Sequence, residues 1–462
     1  MVLYSAFEKF VDGSPVSIMI RGSLEFALPE DFVNQVFEDT AQKQYTRDLL
    51  FSDVVDTMGS VVCQVFPSIN AAYKKQQDRF SVSCRSLYDK INLVEPQVTR
   101  QLVVQMAQRL GPVVGQLQKR MEVTPLLPGF SVRILDGNHL AATEHRIGEL
   151  RNIAAGPLPG KVLAVFDPDR RLIVDLFPCE DGHAQERSML LDVLDAMQPN
   201  EVWMADRNFC TALFLFQTVA NDAYFVVRKH ATNVRCEPTG EQRKVGRIDT
   251  GMVYQQRVDI IDNWGERVSV RRITIKLDQP TEEGDWEIHL LTNLPNRVKA
   301  TRIAQAYRAR WKVEAAFGEL ATALHCEIKS LGYPPAALFA FGVGVMAYNI
   351  LSVVRTAMAA AHGEAADDIS AYYVADEIRG MMRGMMVAIP ARHWQRQFGG
   401  RTARQMANLL LALAKKVDLK AFLKSRRGPK KPRTKRTQYK GKSHVSTARI
   451  LEASRGREIC ML

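Results

Sequence analysis

The stretch YRARWKVEAAFGEL, residues 307–320, decides how this chain is read. Tyr307, Arg310, Glu314 and Phe317 follow one another at intervals of three, four and three residues. On an α-helix that spacing puts all four on one face. Glu314 could simply pair with Arg310 one turn earlier, a surface contact worth about a few tenths of a kcal/mol. Trp311, Val313, Ala315, Ala316 and Phe317 instead predict a largely buried helix. A buried arginine and carboxylate need partners, and a metal ion or a phosphate would supply them.

Two carboxylates upstream end β-like runs. FSVRILD (130–136) alternates and is rich in β-branched residues, which predicts a strand ending at Asp136. Gly137 and Asn138 follow, and such residues build hairpin turns, so Asp136 taken alone reads as a turn residue. EVWMAD (201–206) predicts a short strand ending at Asp206, which could equally be a helix cap. Taken jointly, three carboxylates from two strand ends and a later helix suit the cleavage of a phosphodiester. Two Mg2+ ions roughly 3.5–4 Å apart can activate a nucleophile and neutralise the leaving oxygen. Mg2+ is hard and prefers carboxylate oxygens and water. His139 reads as a structural residue or a hydrogen-bond donor to a ligand, not as a ligand.

Around these residues the chain changes character several times. Residues 1–125 carry helical periodicity (FALPEDFVNQVFEDTAQ, LLFSDVVDTMGSVVCQVF, VTRQLVVQMAQRLGPVVGQLQKRM) and form a helical N-terminal domain, with DNA reading or plain packing as its role. TPLLPG (124–129) is a linker. From 126 to 355 strands and helices alternate: KVLAVFDPDRRLIVDLFPC (161–179) predicts a hairpin, ERSMLLDVLDAM (186–197) and TALFLFQTVA (211–220) helices, and AYFVVRKH (223–230) a strand. This pattern implies an α/β fold with a mixed sheet. A second β-rich unit lies within it at about 231–295. A helical region (356–423) and a basic tail (424–462), predicted to be disordered, complete the chain.

Of 462 residues, 24% are charged and 46% hydrophobic, with a formal net charge of +12. Ten basic residues and no acidic one fall between Lys424 and Lys442. Such a run is first a solvated tail, but it can also neutralise phosphates without regard to sequence. It lacks an amphipathic apolar face, which argues against a membrane-surface protein. The seven cysteines are odd in number and show no CxxC spacing, which argues against a zinc knuckle or a disulfide framework and for a reducing compartment. The N-terminus has no apolar signal core. Ala336–Val354 is apolar enough to be a minimal membrane span, but it contains Asn349 and Ser352 and reads better as a buried core helix.

Between about Ser131 and Arg355 the chain resembles the DDE transposases of bacterial insertion sequences. The resemblance rests on Asp136 in ILDGNHL, Asp206 in MADRNF and Glu314, and on the match of Tyr307, Arg310 and Glu314 to the family's Tyr-x2-Arg-x3-Glu-x6-Lys motif. It implies an RNase H-like mixed sheet flanked by helices, interrupted by a β-rich insertion, and a two-metal site of Mg2+, with Mn2+ as a substitute, held by Asp136, Asp206 and Glu314. Tyr307 and Arg310 would grip phosphates near the scissile bond. Arg228, Arg207 and Lys329 would contact DNA. Trp286 would stack on a flipped base if it matches the family aromatic, although its spacing favours a core tryptophan. The partners implied are double-stranded DNA, at terminal inverted repeats and target, and a second copy of the chain, in a bacterial cytoplasm. The motif's lysine falls at position 321, which is alanine. That departure keeps two alternatives in view: an RNase H-like nuclease without strand transfer, and a non-catalytic DNA-binding descendant.

Overall fold

The computed structural model describes residues 5–121, 123–230, 232–425 and 444–459. From residue 426 on, the basic run therefore lies outside the described residues.

The N-terminal part is helical, as its periodicity predicts: α1 (Glu8–Gly13), α2 (Pro15–Ala27), α3 (Glu30–Thr40), α4 (Phe51–Val62), α5 (Ile69–Lys75), α6 (Cys84–Asn92) and α7 (Pro96–Gln118). Local chemistry sets several starts. Ser68 and Ser83 cap α5 and α6 by accepting from Ala71 N–H and Ser86 N–H. Prolines open α2 and α7, where no N–H is needed.

The central sheet is built from β1 (Ser131–His139), β3 (Lys161–Asp167) and β4 (Leu172–Cys179), with the short β2 (Gly156–Leu158) outside it. After β4 the chain runs through α8 (Leu190–Ala196), β5 (Glu201–Ala205), α9 (Ala212–Ala220) and β6 (Tyr224–Arg228). The insertion follows as β7 (Arg235–Pro238), β8 (Arg243–Ile248), β9 (Gly251–Ile261), β10 (Arg267–Leu277) and β11 (Glu287–Thr292). The order is β4-β3-β1-β5-β6-β11-β10-β9-β7, with β8 also on β9. β1, β5 and β6 run parallel, and the other pairings are antiparallel. The result is a mixed sheet flanked by helices, with a β-rich insertion and helical regions on either side of it, as in an RNase H-like architecture. The insertion is not a separate unit, because β11 pairs with β6 and continues the same ten-stranded sheet.

Downstream come α10 (Ala300–Tyr307), α11 (Trp311–Ala323), α12 (Pro334–His362), α13 (Ala371–Ala388), α14 (Ala391–Trp394) and α15 (Ala403–Ala414). α12 runs straight through the domain boundary expected at residue 355. β12 (His444–Ser446) pairs in parallel with β2 and leads into α16 (Thr447–Ile459), so the tail is not structureless over 444–459.

Alternation along the strands divides the core. Leu135, Trp203 and Phe225 face α8 and α9. Val132, Ile134, Val202 and Met204 face the larger core of α7, α12 and the N-terminal helices. α12 is long and apolar enough to cross a membrane, yet its apolar stretch is wholly buried in the protein. Its polar residues serve the outer edge of β4. Asn349 accepts from Ile173 N–H at 2.9 Å and donates to Ile173 C=O at 2.8 Å, and Ser352 donates to Arg171 C=O at 2.7 Å. Backbone groups at an uncovered strand edge would otherwise be buried without partners.

Candidate active site

The register of β1 on β5 pairs Ser131 with Glu201 and Ile134 with Met204. Two residues further on in the same register, Asp136 stands level with Asp206. Adjacent strands lie about 4.8 Å apart, so the two acids arise side by side at the carboxyl end of β5. Residues two apart on a strand share a face, so Asp136 follows Val132 and Ile134 onto the α12 side.

Asp136, Gly137 and Asn138 are not a turn. They are strand residues paired with Ala164, Leu163 and Val162 of β3. The turn chemistry of Asp-Gly is overridden here by pairing with β3, which holds this end of β1 extended. Asp206 does act as a local cap, accepting from Asn208 N–H at 2.8 Å, and opens the single turn Arg207–Phe209.

The third acid arrives on α11, which packs on β1. The expected continuous helix is interrupted: α10 ends at Tyr307, residues Arg308–Arg310 form a tighter 3-10 turn, and α11 begins at Trp311. α11 is less buried than its composition predicts. Val313, Ala316, Leu320 and Ala323 form the inward stripe, whereas Trp311 is 65% exposed beside the Arg310 guanidinium. From the opposite side α12 anchors α11 through Arg355, which binds Glu319 at 2.7 Å and is itself buried.

Arg310 is the centre of the site. One guanidinium nitrogen lies 3.1 Å from Oδ2 of Asp136 and another 2.9 Å from Oε1 of Glu314. Asp206 adds to the negative field that favours the charged guanidinium, without pairing with it directly. Burial pushes the Asp136 carboxyl up to about 7, helped by the negative charges of Asp206 and Glu314 and opposed by Arg310 and the Gly137 N–H. Tyr307 is buried, and its hydroxyl donates to Ala205 C=O at 3.2 Å, tying the end of α10 to the residue before Asp206. Burial raises the pKa of that phenol, which keeps it protonated.

Among the described residues no three His, Cys, Asp or Glu side chains are grouped closely enough to hold a metal ion. The donors are the carboxylate oxygens that a hard dication prefers, and a dication would relieve the cost of ionising Asp136. Their present spacing, with Arg310 between Asp136 and Glu314, suits the guanidinium.

The residues expected to meet DNA are placed as follows. Arg207 pairs with Glu283 at 3.1 Å, and Arg228 with Asp285 at 2.5 Å and Glu283 at 3.8 Å. The acidic pair lies on the loop between β10 and β11, which therefore folds back toward Asp206. Trp286 ends this loop and is 59% exposed, so it is not a core tryptophan. Lys329 and Ala321 are exposed, and His139 is exposed at the end of β1.

Sequence reasoning missed one carboxylate. Glu186, at the start of the 3-10 turn Glu186–Met189, packs on the backbone of Gly137 with the Asn208 side chain near its carboxylate. Its pKa is raised by burial and by the neighbouring Asp206. A glycine inside a strand where no turn exists was the available signal, since it marks a close approach.

Residues 128–350, just under half of the chain, match the family described as the Transposase DDE domain. The matched segment begins before β1 and ends within α12, and so contains all three acids. No curated protein matches the chain.

Proposed function

We propose that this chain is a metal-dependent DNA transposase of an insertion sequence, cutting DNA at the inverted repeats that end its element and joining the freed ends to a target. The observation that carries this is that Arg310 binds both Asp136 and Glu314, while the β1–β5 register sets Asp206 level with Asp136, inside the segment that matches a transposase domain.

Asp136, Asp206 and Glu314 would hold Mg2+, with Mn2+ as a substitute. Such ions activate the attacking water or 3′-hydroxyl and take up charge on the leaving oxygen. Arg310 would exchange its carboxylates for a DNA phosphate, since its planar fork fits either anion. Tyr307, protonated and bonded to Ala205, would fix the strand end from which Asp206 projects. Arg207 and Arg228 would trade Glu283 and Asp285 for phosphates, with Lys329 as a further phosphate contact. Exposed Trp286 would offer a face for an unstacked base. Synapsis of two ends calls for two copies of the chain on double-stranded DNA, in a bacterial cytoplasm.

The test uses duplexes bearing the inverted repeats that flank the gene, incubated with the full-length protein and Mg2+. Cleavage and joined products are expected from wild type. Asp136→Ala, Asp206→Ala and Glu314→Ala should each lose cleavage while still shifting the duplex in a gel. Wild-type cleavage by any one variant removes that residue from the site. Ala321 favours a second reading, hydrolysis without strand transfer, because α11 offers no lysine one turn beyond Phe317. Pre-cleaved ends separate the two: a nuclease would leave them unjoined.

A further inference from the structure

Glu186 belongs to no motif in the sequence, yet it lies against the end of β1, and its neighbour Arg187 binds the loop that follows β5. On the β1 side its carboxylate lies against Gly137, one residue after Asp136, so close that a Cβ at position 137 would overlap it. On the β5 side the Asn208 side chain is close enough to favour its charged form. The backbone N–H of the same Asn208 donates to Oδ1 of Asp206 at 2.8 Å. The next residue, Arg187, donates from Nε to the Asn208 carbonyl at 2.8 Å. Residues 186 and 187 therefore grip the loop that orients Asp206 while resting on the strand that presents Asp136. Lys161, buried on β3 and bonded to the Ala184 carbonyl, lies near enough to offset the charge of Glu186.

We infer that Glu186 is a positioning residue that sets the placement of Asp206 relative to Asp136, acting through Asn208, and that Gly137 lacks a side chain to admit it. This rests on the proposed metal-dependent reaction. It goes beyond that reaction by assigning a role outside the three acids. Groups that orient a ligand from behind typically change metal affinity by about 10–100-fold when removed. Gly137 is not in the left-handed region, so Gly137→Ala strains no backbone. The atom it meets is the end of a flexible side chain, which it would displace. Gly137→Ala and Glu186→Ala should thus damage the same contact.

The experiment is calorimetric titration of the full-length protein with Mn2+ in the absence of DNA, repeated as the Mg2+ dependence of cleavage. Glu186→Ala is expected to weaken Mn2+ binding about tenfold and to raise the Mg2+ needed for half-maximal cleavage equally, with DNA retention unchanged. Glu186→Gln, which keeps the acceptor oxygen, should restore binding to within about twofold of wild type. Gly137→Ala should match Glu186→Ala, and the double variant should be no worse than either. Wild-type Mn2+ affinity in Glu186→Ala, failure of the glutamine rescue, or additive effects of the two substitutions would each overturn the inference. If Glu186→Ala does not fold, Asn208→Ala carries the same expectation and the same refutation. A wild-type protein that binds Mn2+ but cuts no DNA refutes the transposase proposal and leaves Glu186 to be judged by the titration. One that cuts DNA while Glu186→Ala binds Mn2+ normally refutes Glu186 alone.

Discussion

Replacing Asp136 by asparagine should stabilise the metal-free protein, and only at the pH where its carboxylate is a burden. Burial raises this carboxyl from its ordinary 3.8 to about 7, in spite of the Arg310 guanidinium beside it. A carboxyl with a raised folded pKa favours the folded state while protonated. That advantage is lost as pH climbs from the unfolded value to the folded one. At about 1.36 kcal/mol per pH unit, the interval from 3.8 to about 7 amounts to roughly 4 kcal/mol. Asparagine keeps the shape of the protonated acid and an oxygen for Arg310, but cannot ionise. The two proteins should therefore melt together below about pH 4. Between pH 4 and 7 the variant should gain steadily, and above pH 7 the gap should stay constant at up to about 4 kcal/mol. Scanning calorimetry across pH 4–8, without divalent metal, measures this. Adding Mn2+ at pH 8 should raise the melting temperature of wild type and leave Asp136→Asn unmoved, because only the ionised acid gains from a cation. A variant that melts at or below wild type at pH 8, or a gap that does not change with pH, would refute the claim that burial dominates the environment of Asp136.

Three further outcomes are expected. Asn349→Leu strips the partners from Ile173 N–H and C=O and should cost about 2–4 kcal/mol; an apolar replacement tolerated within about 1 kcal/mol would mean the edge of β4 finds other partners. Arg355→Met removes the buried guanidinium that holds Glu319 and should destabilise by about 3 kcal/mol, with faster amide exchange along α11 than elsewhere; exchange unchanged on α11 would dismiss Arg355 as its anchor. Replacing Lys430, Lys431, Arg433, Lys435 and Arg436 by glutamine should flatten the slope of log affinity for DNA against log salt by up to about 4.5; an unaltered slope would show that these residues meet no phosphate.

Much of this organisation is legible in the sequence because it rests on local periodicity. The hairpin of β3 and β4, the β5 and β6 strands and the N-terminal helices follow from apolar spacing. The interval of 70 residues between Asp136 and Asp206 matches the register offset of β1 on β5. Readings failed where the outcome depends on what lies across space. Asp-Gly-Asn has turn chemistry, yet pairing with β3 keeps it in the strand. Trp286 and Trp311 look like core residues by type, but both are largely exposed.

The sequence by itself determined the kinds of element, their order, and three acids with an arginine one helical turn from the last of them, since these depend on backbone propensity and on spacing along the chain. Only the tertiary structure decided that Arg310 spans Asp136 and Glu314, that the inserted strands extend the central sheet, and that Glu186 rests on Gly137 while Arg187 binds Asn208. Those contacts join residues far apart in the chain. Which side chains meet is fixed by how the layers stack, and that information is absent from any local stretch.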